Sequence, residues 1–429
     1  MTLSPPIRWL RLLLAPAAVF TVMVTALLLV NGAAAPAPDR SGDPGARSGD
    51  AVRDFQRAVR AAPDSARAYA GLGEAYLSRA REIGDPGFYS RAERAFDAAL
   101  RRDPRDLGAL IGAGTLAGLR HDFARQLRLA REAVAVAPEL ARPYTVVADA
   151  QVELGRYAAA AASIQRLVDA KPGLASYSRA SYFRELSGDL AGAVEAMRLA
   201  ASAGGTPENM AYVRVLLGDL ELQRGRIGAA RVAYTSALRS LHRYPAGMVG
   251  LARADAASGR LGRAAARLRR ASVRLPLTGT LVLLAEVERA RGHAAAGGAA
   301  LAAARAQQRL YRGARTRPDA EAVLFGADHG SPAAAVTLGR RVWRAAPSVR
   351  SADALGWALT RAGRPGAGYR FALRALRLGS RDPLFHLHAG VAAGRAGLGR
   401  EAARHLAAAV AGRAALAPSA AALLREALS

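Results

Sequence analysis

The stretch Ala141–Leu174 reads ARPYTVVADAQVELGRYAAAAASIQRLVDAKPGL and decides the architecture. It carries two helical patterns, broken at Gly155-Arg156-Tyr157 and closed by Pro172. Numbered from Ala141, positions 4, 7, 8 and 11 hold Tyr144, Val147, Ala148 and Gln151. Positions 20, 24 and 27 hold Ala160, Ile164 and Leu167. Spacings of three and four place each set on one face of a helix. Small residues at 8 and 20 let two backbones approach closely. Gly155 suits the left-handed turn that ends a first helix. Pro172 lacks an N–H and stops the second helix. A helix pair of this size cannot bury its apolar face alone, so the pattern must recur.

It does recur, in steps of about 34 residues. Tyr69, Leu72, Gly73 and Tyr76 repeat the first-helix positions upstream, and Leu217, Gly218, Gly225, Ala230, Tyr234 and Ala237 repeat the whole motif downstream. The ninth and tenth copies carry Leu355, Gly356 and Gly363, then Ala389, Gly390, Gly397 and Ala402. These anchors resemble the tetratricopeptide repeat (TPR) family over roughly residues 51–429. The resemblance implies an all-α fold: a right-handed superhelical solenoid of about ten helix–turn–helix repeats. It also implies a protein- or peptide-binding scaffold rather than an enzyme. Position 2, 5, 9, 12 and 13 side chains of the first helices then face a concave groove. Here they give Arg67, Glu74, Arg142, Asp149, Glu153, Tyr182, Glu185, Tyr212, Asp219, Arg253, Glu286 and Trp357 as candidate partner contacts. Acidic groups recur at position 9, in Glu74, Asp149, Asp219 and Glu286, and are expected to meet basic groups of a partner. Tyr182, Tyr212 and Trp357 supply amphipathic anchors of the kind enriched at binding hot spots.

The period has irregular places. The first copy holds about seven extra residues around Arg81–Tyr89. Gly297-Gly298 are expected to loosen the second helix of the seventh copy. The basic segment Arg305–Arg317 interrupts the period, and the eighth copy, near Thr316–Ser348, has few anchors. Ala51–Ala62 reads as a lone capping helix, and Pro418–Leu428 as a closing one.

Ahead of the repeats, Arg8 and Arg11 precede an uncharged run from Leu12 to Val30, 19 residues long. At about 1.5 Å per residue that run can just span a bilayer. It reads as a signal-anchor helix, or as a secretory signal cut near Ala33-Ala34-Ala35. Both place the repeats outside the cytoplasm, either at the membrane or secreted. Residues 31–50 are rich in Pro, Gly, Ala and Asp and read as a flexible tether, which assigns 1–30 to the hydrophobic helix and 51–429 to the solenoid.

The chain has no cysteine, so disulfides, thiolate metal sites and iron–sulfur clusters are excluded. Its net charge of +27 rests on arginine, with Lys171 the one lysine. Residues 201–429 hold 35 basic against 13 acidic groups. That excess supports an alternative role, a structural envelope protein whose basic half binds anionic polymers or lipid heads. No aromatic interleaving points to nucleic acid. Gly112-Ala113-Gly114 lacks the strand a phosphate loop needs. His386 and His388 stand two apart on one helix and face different sides, so they cannot share a metal. No catalytic, cofactor or metal site is expected.

Overall fold

The computed structural model describes residues 44–429, so the predicted membrane segment Leu12–Val30 lies outside the described residues. Among the described residues there are twenty-two α-helices and no strand, and no helix is long and apolar enough to cross a membrane. A leading helix, Pro44–Ala61, precedes ten antiparallel pairs, and Pro418–Leu428 closes the array. The pairs are Ala66–Ile83 with Gly87–Arg102, Leu107–Leu119 with Phe123–Val136, Ala141–Glu153 with Tyr157–Ala170, Leu174–Leu186 with Leu190–Ser202, and Pro207–Gln223 with Ile227–Ser240. They continue as Pro245–Ala257 with Leu261–Arg274, Thr278–Ala290 with Ala294–Gly313, Ala320–His329 with Pro332–Ala345, Val349–Arg361 with Pro365–Ala375, and Pro383–Arg395 with Gly399–Ala411.

The most buried first helices, such as Leu107–Leu119 and Val349–Arg361, are covered almost all round, and the second helices on one face. Eleven residues of Leu107–Leu119 are buried, whereas Leu261–Arg274 buries only Ala264, Ala265, Leu268 and Ala271. Close-packing positions explain the recurring glycines. A Cβ on Gly218 or Gly250 would stand 2.4 or 2.3 Å from the Tyr234 ring, which is slotted between two first helices. Gly73 and Gly112 flank Phe96 in the same way. Tyr234 and Phe96 are both fully buried, and each such ring contributes about 1.5–3 kcal/mol through removal from water. Gly155, Gly188, Gly225, Gly259 and Gly292 take positive φ at the turns. His121 fills that place in the second repeat at φ 58.

Two expectations are corrected. Gly297 does not loosen its helix, since Ala294–Gly313 runs unbroken for 20 residues. Gly297 occupies position 20, where its absent Cβ leaves room for the Ala285 carbonyl, 3.0 Å from where a Cβ would stand. The leading helix also starts at Pro44, inside the stretch read as tether, and Ser48 donates to Glu82 of the first repeat.

The irregular places in the period meet in space. The array passes through one superhelical turn, and its later repeats return onto its first ones. Gln307 Nε2 of repeat 7 reaches the Gly84 carbonyl of repeat 1 at 3.5 Å, and Tyr311 packs on the core of repeats 1 and 2. Both contacts come from segments that break the 34-residue period. Further along, Arg317 N donates to the Arg120 carbonyl at 2.9 Å and its Nη2 pairs with Asp122 at 2.6 Å. Val349 N donates to the Tyr157 hydroxyl at 2.8 Å, and Phe385 and Ala352 join the core of repeats 3 and 4. Gly412 packs against the Gln223 carbonyl, and Ser419 N donates to Glu286 at 3.3 Å. This seam runs between the two turns and closes the solenoid on itself.

Candidate functional site

Closure leaves an internal lumen with a volume of about 1950 Å³. Its wall comes mainly from first helices of repeats 1 and 5–10 and from the closing helix. That follows from the packing: second helices shield the outside, so first helices face inward. Glu74, Tyr212, Asp219, Arg253, Glu286 and Trp357 line the lumen, half of the twelve residues expected to face a groove.

The other six stand elsewhere. Arg67 is exposed and does not border the lumen. Arg142 pairs with Glu74 across repeat 2. Asp149 is buried and takes both Arg179 nitrogens, at 2.9 and 2.7 Å. Glu153 lies in the seam, 3.7 Å from Arg350, beside a cavity of about 70 Å³. Tyr182 also sits at the seam and accepts from Arg350 Nη1 at 3.4 Å. Glu185 is buried and accepts from Gln223 Nε2 at 2.6 Å.

The position-9 carboxylates therefore have partners inside the protein. Asp219 is buried, accepts from Tyr234 Oη at 2.6 Å and pairs with Arg253, the position-9 residue of the next repeat. Burial raises its pKa, and the Arg253 guanidinium opposes that rise. The same balance, with burial ahead of Arg179, raises Asp149. Glu185 lacks a close cation, so burial pushes its carboxyl up to about 8 despite the Gln223 amide. In the seam, burial together with the nearby Asp319 lifts Glu321 to about 7.

Trp357 is 2% exposed, stacks on His388 with ring centres 4.3 Å apart, and donates through Nε1 to Asp328 at 2.9 Å. His388 Nδ1 lies 3.0 Å from both Asp353 oxygens. His386 turns to the other side of the helix and meets His405, Nδ1 to Nδ1, at 3.1 Å. The two histidines thus have separate partners, as their spacing requires. Gly112-Ala113-Gly114 lies within a helix, pressed on Phe96.

Several lumen residues were not among the expected ones. Arg81, Tyr244, Tyr311, Glu321 and Asp382 all border it. Tyr311 and Arg81 belong to the period-breaking segments, and that irregularity was the available signal. Asp382 caps its helix through Oδ1 at 2.7 Å from Leu384 N, while its buried Oδ2 has no hydrogen-bond partner among the described residues.

No family model matches the chain. No curated protein matches it either. Among solved structures, the Cut9–Hcn1 hetero-tetramer of the APC/C is similar over 95% of this chain and 68% of its own, at 14% identity and a TM-score of 0.50. Human IFIT1 as a dimer with PPP-AAAA gives 16% identity, 73% of each chain and a TM-score of 0.48. YrrB, a TPR protein with an unusual peptide-binding site, gives 16% identity over 53% of this chain and 94% of its own, at a TM-score of 0.25. At these identities the likeness speaks to the fold, which the first of the three carries. The chain has the tetratricopeptide-repeat fold.

Proposed function

We propose that this chain is a non-enzymatic scaffold that holds a segment of another protein in its lumen. The observation that carries this reading is the lumen itself, walled by the helices that repeat scaffolds turn inward. Its volume of about 1950 Å³ is beyond the roughly 300–1,000 Å³ that suits a small ligand. It fits a length of polypeptide. The wall mixes apolar side chains such as Leu283, Phe325 and Leu387 with nine arginines and nine carboxylates. It has no excess of arginine over carboxylate to offer a phosphate backbone, which favours a protein segment over nucleic acid.

The same proposal places the scaffold at a membrane, held by Leu12–Val30, with the repeats outside the cytoplasm; cleavage after that segment would release it. The basic flank and the apolar run support this location. Photo-crosslinking residues at Glu208 and Arg312, both exposed and on the lumen wall, test the binding site against Arg131 on the outer face. A partner segment trapped from both lumen positions and not from Arg131 is the expected result. Trapping from Arg131 alone refutes the lumen reading. Sedimentation with membranes, and digestion of the repeats by protease added outside intact cells, tests the location; intact repeats in the cytosol refute it.

A further inference from the structure

Repeats 5, 6 and 7 share a feature that the other repeats lack. Position 11 of the first helix is a buried acid in each: Glu221, Asp255 and Glu288. Elsewhere that position is Tyr76, Ala117, Gln151, Arg184, Gly326, Leu359 or Ala393.

Each of these acids sits beneath three basic side chains. Glu221 receives Arg198 at 3.2 Å, Arg224 at 3.5 Å and Arg226 at 4.0 Å. Asp255, fully buried, receives Arg260 at 3.1 Å, Arg267 at 2.9 Å and Arg231. Glu288 receives Arg291 at 2.8 Å, the His293 ring at 3.0 Å and Arg269. Burial alone would raise the Asp255 and Glu288 carboxyls; the guanidiniums around Asp255, and the His293 ring with Arg269 and Arg291 around Glu288, outweigh it and hold both below the usual range. Asp255 and Glu288 are therefore ionised, and all three buried carboxylates organise one face of their arginines.

The opposite faces are free. Arg198, Arg226 and Arg269 keep 64%, 56% and 54% of their side-chain surface in solvent. Arg263 and Arg270 lie on the same second helix as Arg267 and Arg269, exposed and without an ion pair among the described residues. None of these groups borders the lumen. They form a ridge over second helices and helix–helix turns from repeat 4 to repeat 7. Eight arginines face three carboxylates, an excess of five positive charges before His293 is counted.

We propose that this ridge is a second binding surface, and that it takes an extended acidic polypeptide segment. Its period supports that occupant. First helices of adjacent repeats pack side by side at about 8–10 Å. A peptide in the extended polyproline-II form advances about 3.1 Å per residue with three residues per turn, so carboxylates at every third residue share one face and meet one cluster after another. Arginine forks bind carboxylates bidentately, and here they are already oriented, so little side-chain entropy is lost on binding. A line of clusters along one edge suits a linear ligand, whereas a flat membrane would need a flat basic face. The ridge also lacks aromatic platforms for stacking bases. This surface does not depend on the lumen reading.

The test is fluorescence anisotropy on the repeat-bearing chain with a labelled nonapeptide carrying Asp at every third position. The variant R198Q/R226Q/R269Q removes the exposed members and leaves every buried carboxylate at least one cation. The control R101Q/R105Q/R131Q removes the same charge from exposed, unpaired positions in the first repeats. We expect the ridge variant to lose about tenfold in affinity and the control less than about twofold. A peptide with its Asp residues clustered at one end should bind more weakly than the spaced one. Equal losses in the two variants would overturn the proposal, as would equal binding of both peptides. So would stronger binding of anionic phosphatidylserine vesicles or duplex DNA than of the peptide at matched charge. Circular dichroism and melting establish that both variants are folded; if the ridge variant is not, the single variant R226Q replaces it, with a proportionate loss expected.

Discussion

Gly155 and Gly259 occupy equivalent turns of repeats 3 and 6, and comparing Gly→Ala at the two sites measures the seam. Both take left-handed backbone, φ +67 and φ +74. An L-residue there costs about 1–2 kcal/mol. Loss of chain entropy in the unfolded state returns about 0.4–1 kcal/mol of it. These contributions are common to both sites. The surroundings differ. A Cβ at Gly259 meets nothing within 4 Å, whereas at Gly155 it falls 2.3 Å from the Pro347 carbonyl oxygen. Pro347 belongs to the loop between repeats 8 and 9, so this contact exists only if the second turn rests on the first. Backbone cannot swing aside as a long side chain can, and overpacking of this kind costs about 1–3 kcal/mol. Gly259→Ala should therefore lower stability by about 1 kcal/mol and Gly155→Ala by about 2–4 kcal/mol. Urea unfolding followed by far-UV circular dichroism reads the difference as a shift of midpoint at constant slope. Small-angle scattering should show Gly155→Ala expanding and Gly259→Ala keeping the parent radius of gyration. Equal losses at the two glycines, with equal radii, would refute the closed seam.

Three further expectations follow from particular contacts. Tyr157→Phe removes the acceptor of the Val349 N–H and leaves a buried donor unpaired, at about 1–3 kcal/mol by urea unfolding. Ala160→Leu places three extra carbons at a fully buried helix contact in repeat 3 and should cost about 1–3 kcal/mol on the same assay; no loss would put the register of that repeat in error. Glu185, raised by burial to about 8, is protonated in the folded chain and ionised in the unfolded one between its unfolded value of about 4.3 and 8. The folded state binds the extra proton in that window, so stability falls as pH rises through it. Glu185→Gln keeps a Gln223 acceptor and should gain on the parent protein progressively from pH 5 to 8; a pH-independent difference would contradict the assignment.

Repeat register was legible in the sequence because it depends on local constraints. A left-handed residue at 15, small residues at 8 and 20 and an apolar side chain at 24 are each fixed by contacts within one or two helices. Tyr234 between Gly218 and Gly250 shows the rule at work. The closure was not legible, because it joins residues nearly two hundred apart. Arg317 and Asp122 carry no mark of each other. Its trace was negative: Arg81–Tyr89 and Arg305–Arg317 break the period, and those segments carry seam contacts. Groove positions were half legible. Position numbers located Tyr212, Asp219 and Trp357 on the lumen wall, but the burial of Asp149 against Arg179 depends on a partner the numbering does not specify. The arginine ridge was hidden in a composition so rich in arginine that no single residue stood out. Only the recurrence of an acid at position 11 in three consecutive repeats marked it, and that pattern gains meaning once the cations above it are located.

Closure of the solenoid around its lumen is tested most directly by intramolecular crosslinking. The chain has no cysteine, so introduced pairs react without background. Asp122→Cys with Arg317→Cys replaces an ion pair of 2.6 Å across the seam. Asp97→Cys with Arg125→Cys replaces one of 3.8 Å between neighbouring repeats and serves as the positive control. With a short bismaleimide on dilute, monomeric protein, both pairs should give intramolecular crosslinks at similar rates, with no dimer. Rapid crosslinking of the control with none across the seam would show an open superhelix, and the enclosed lumen would fall with it.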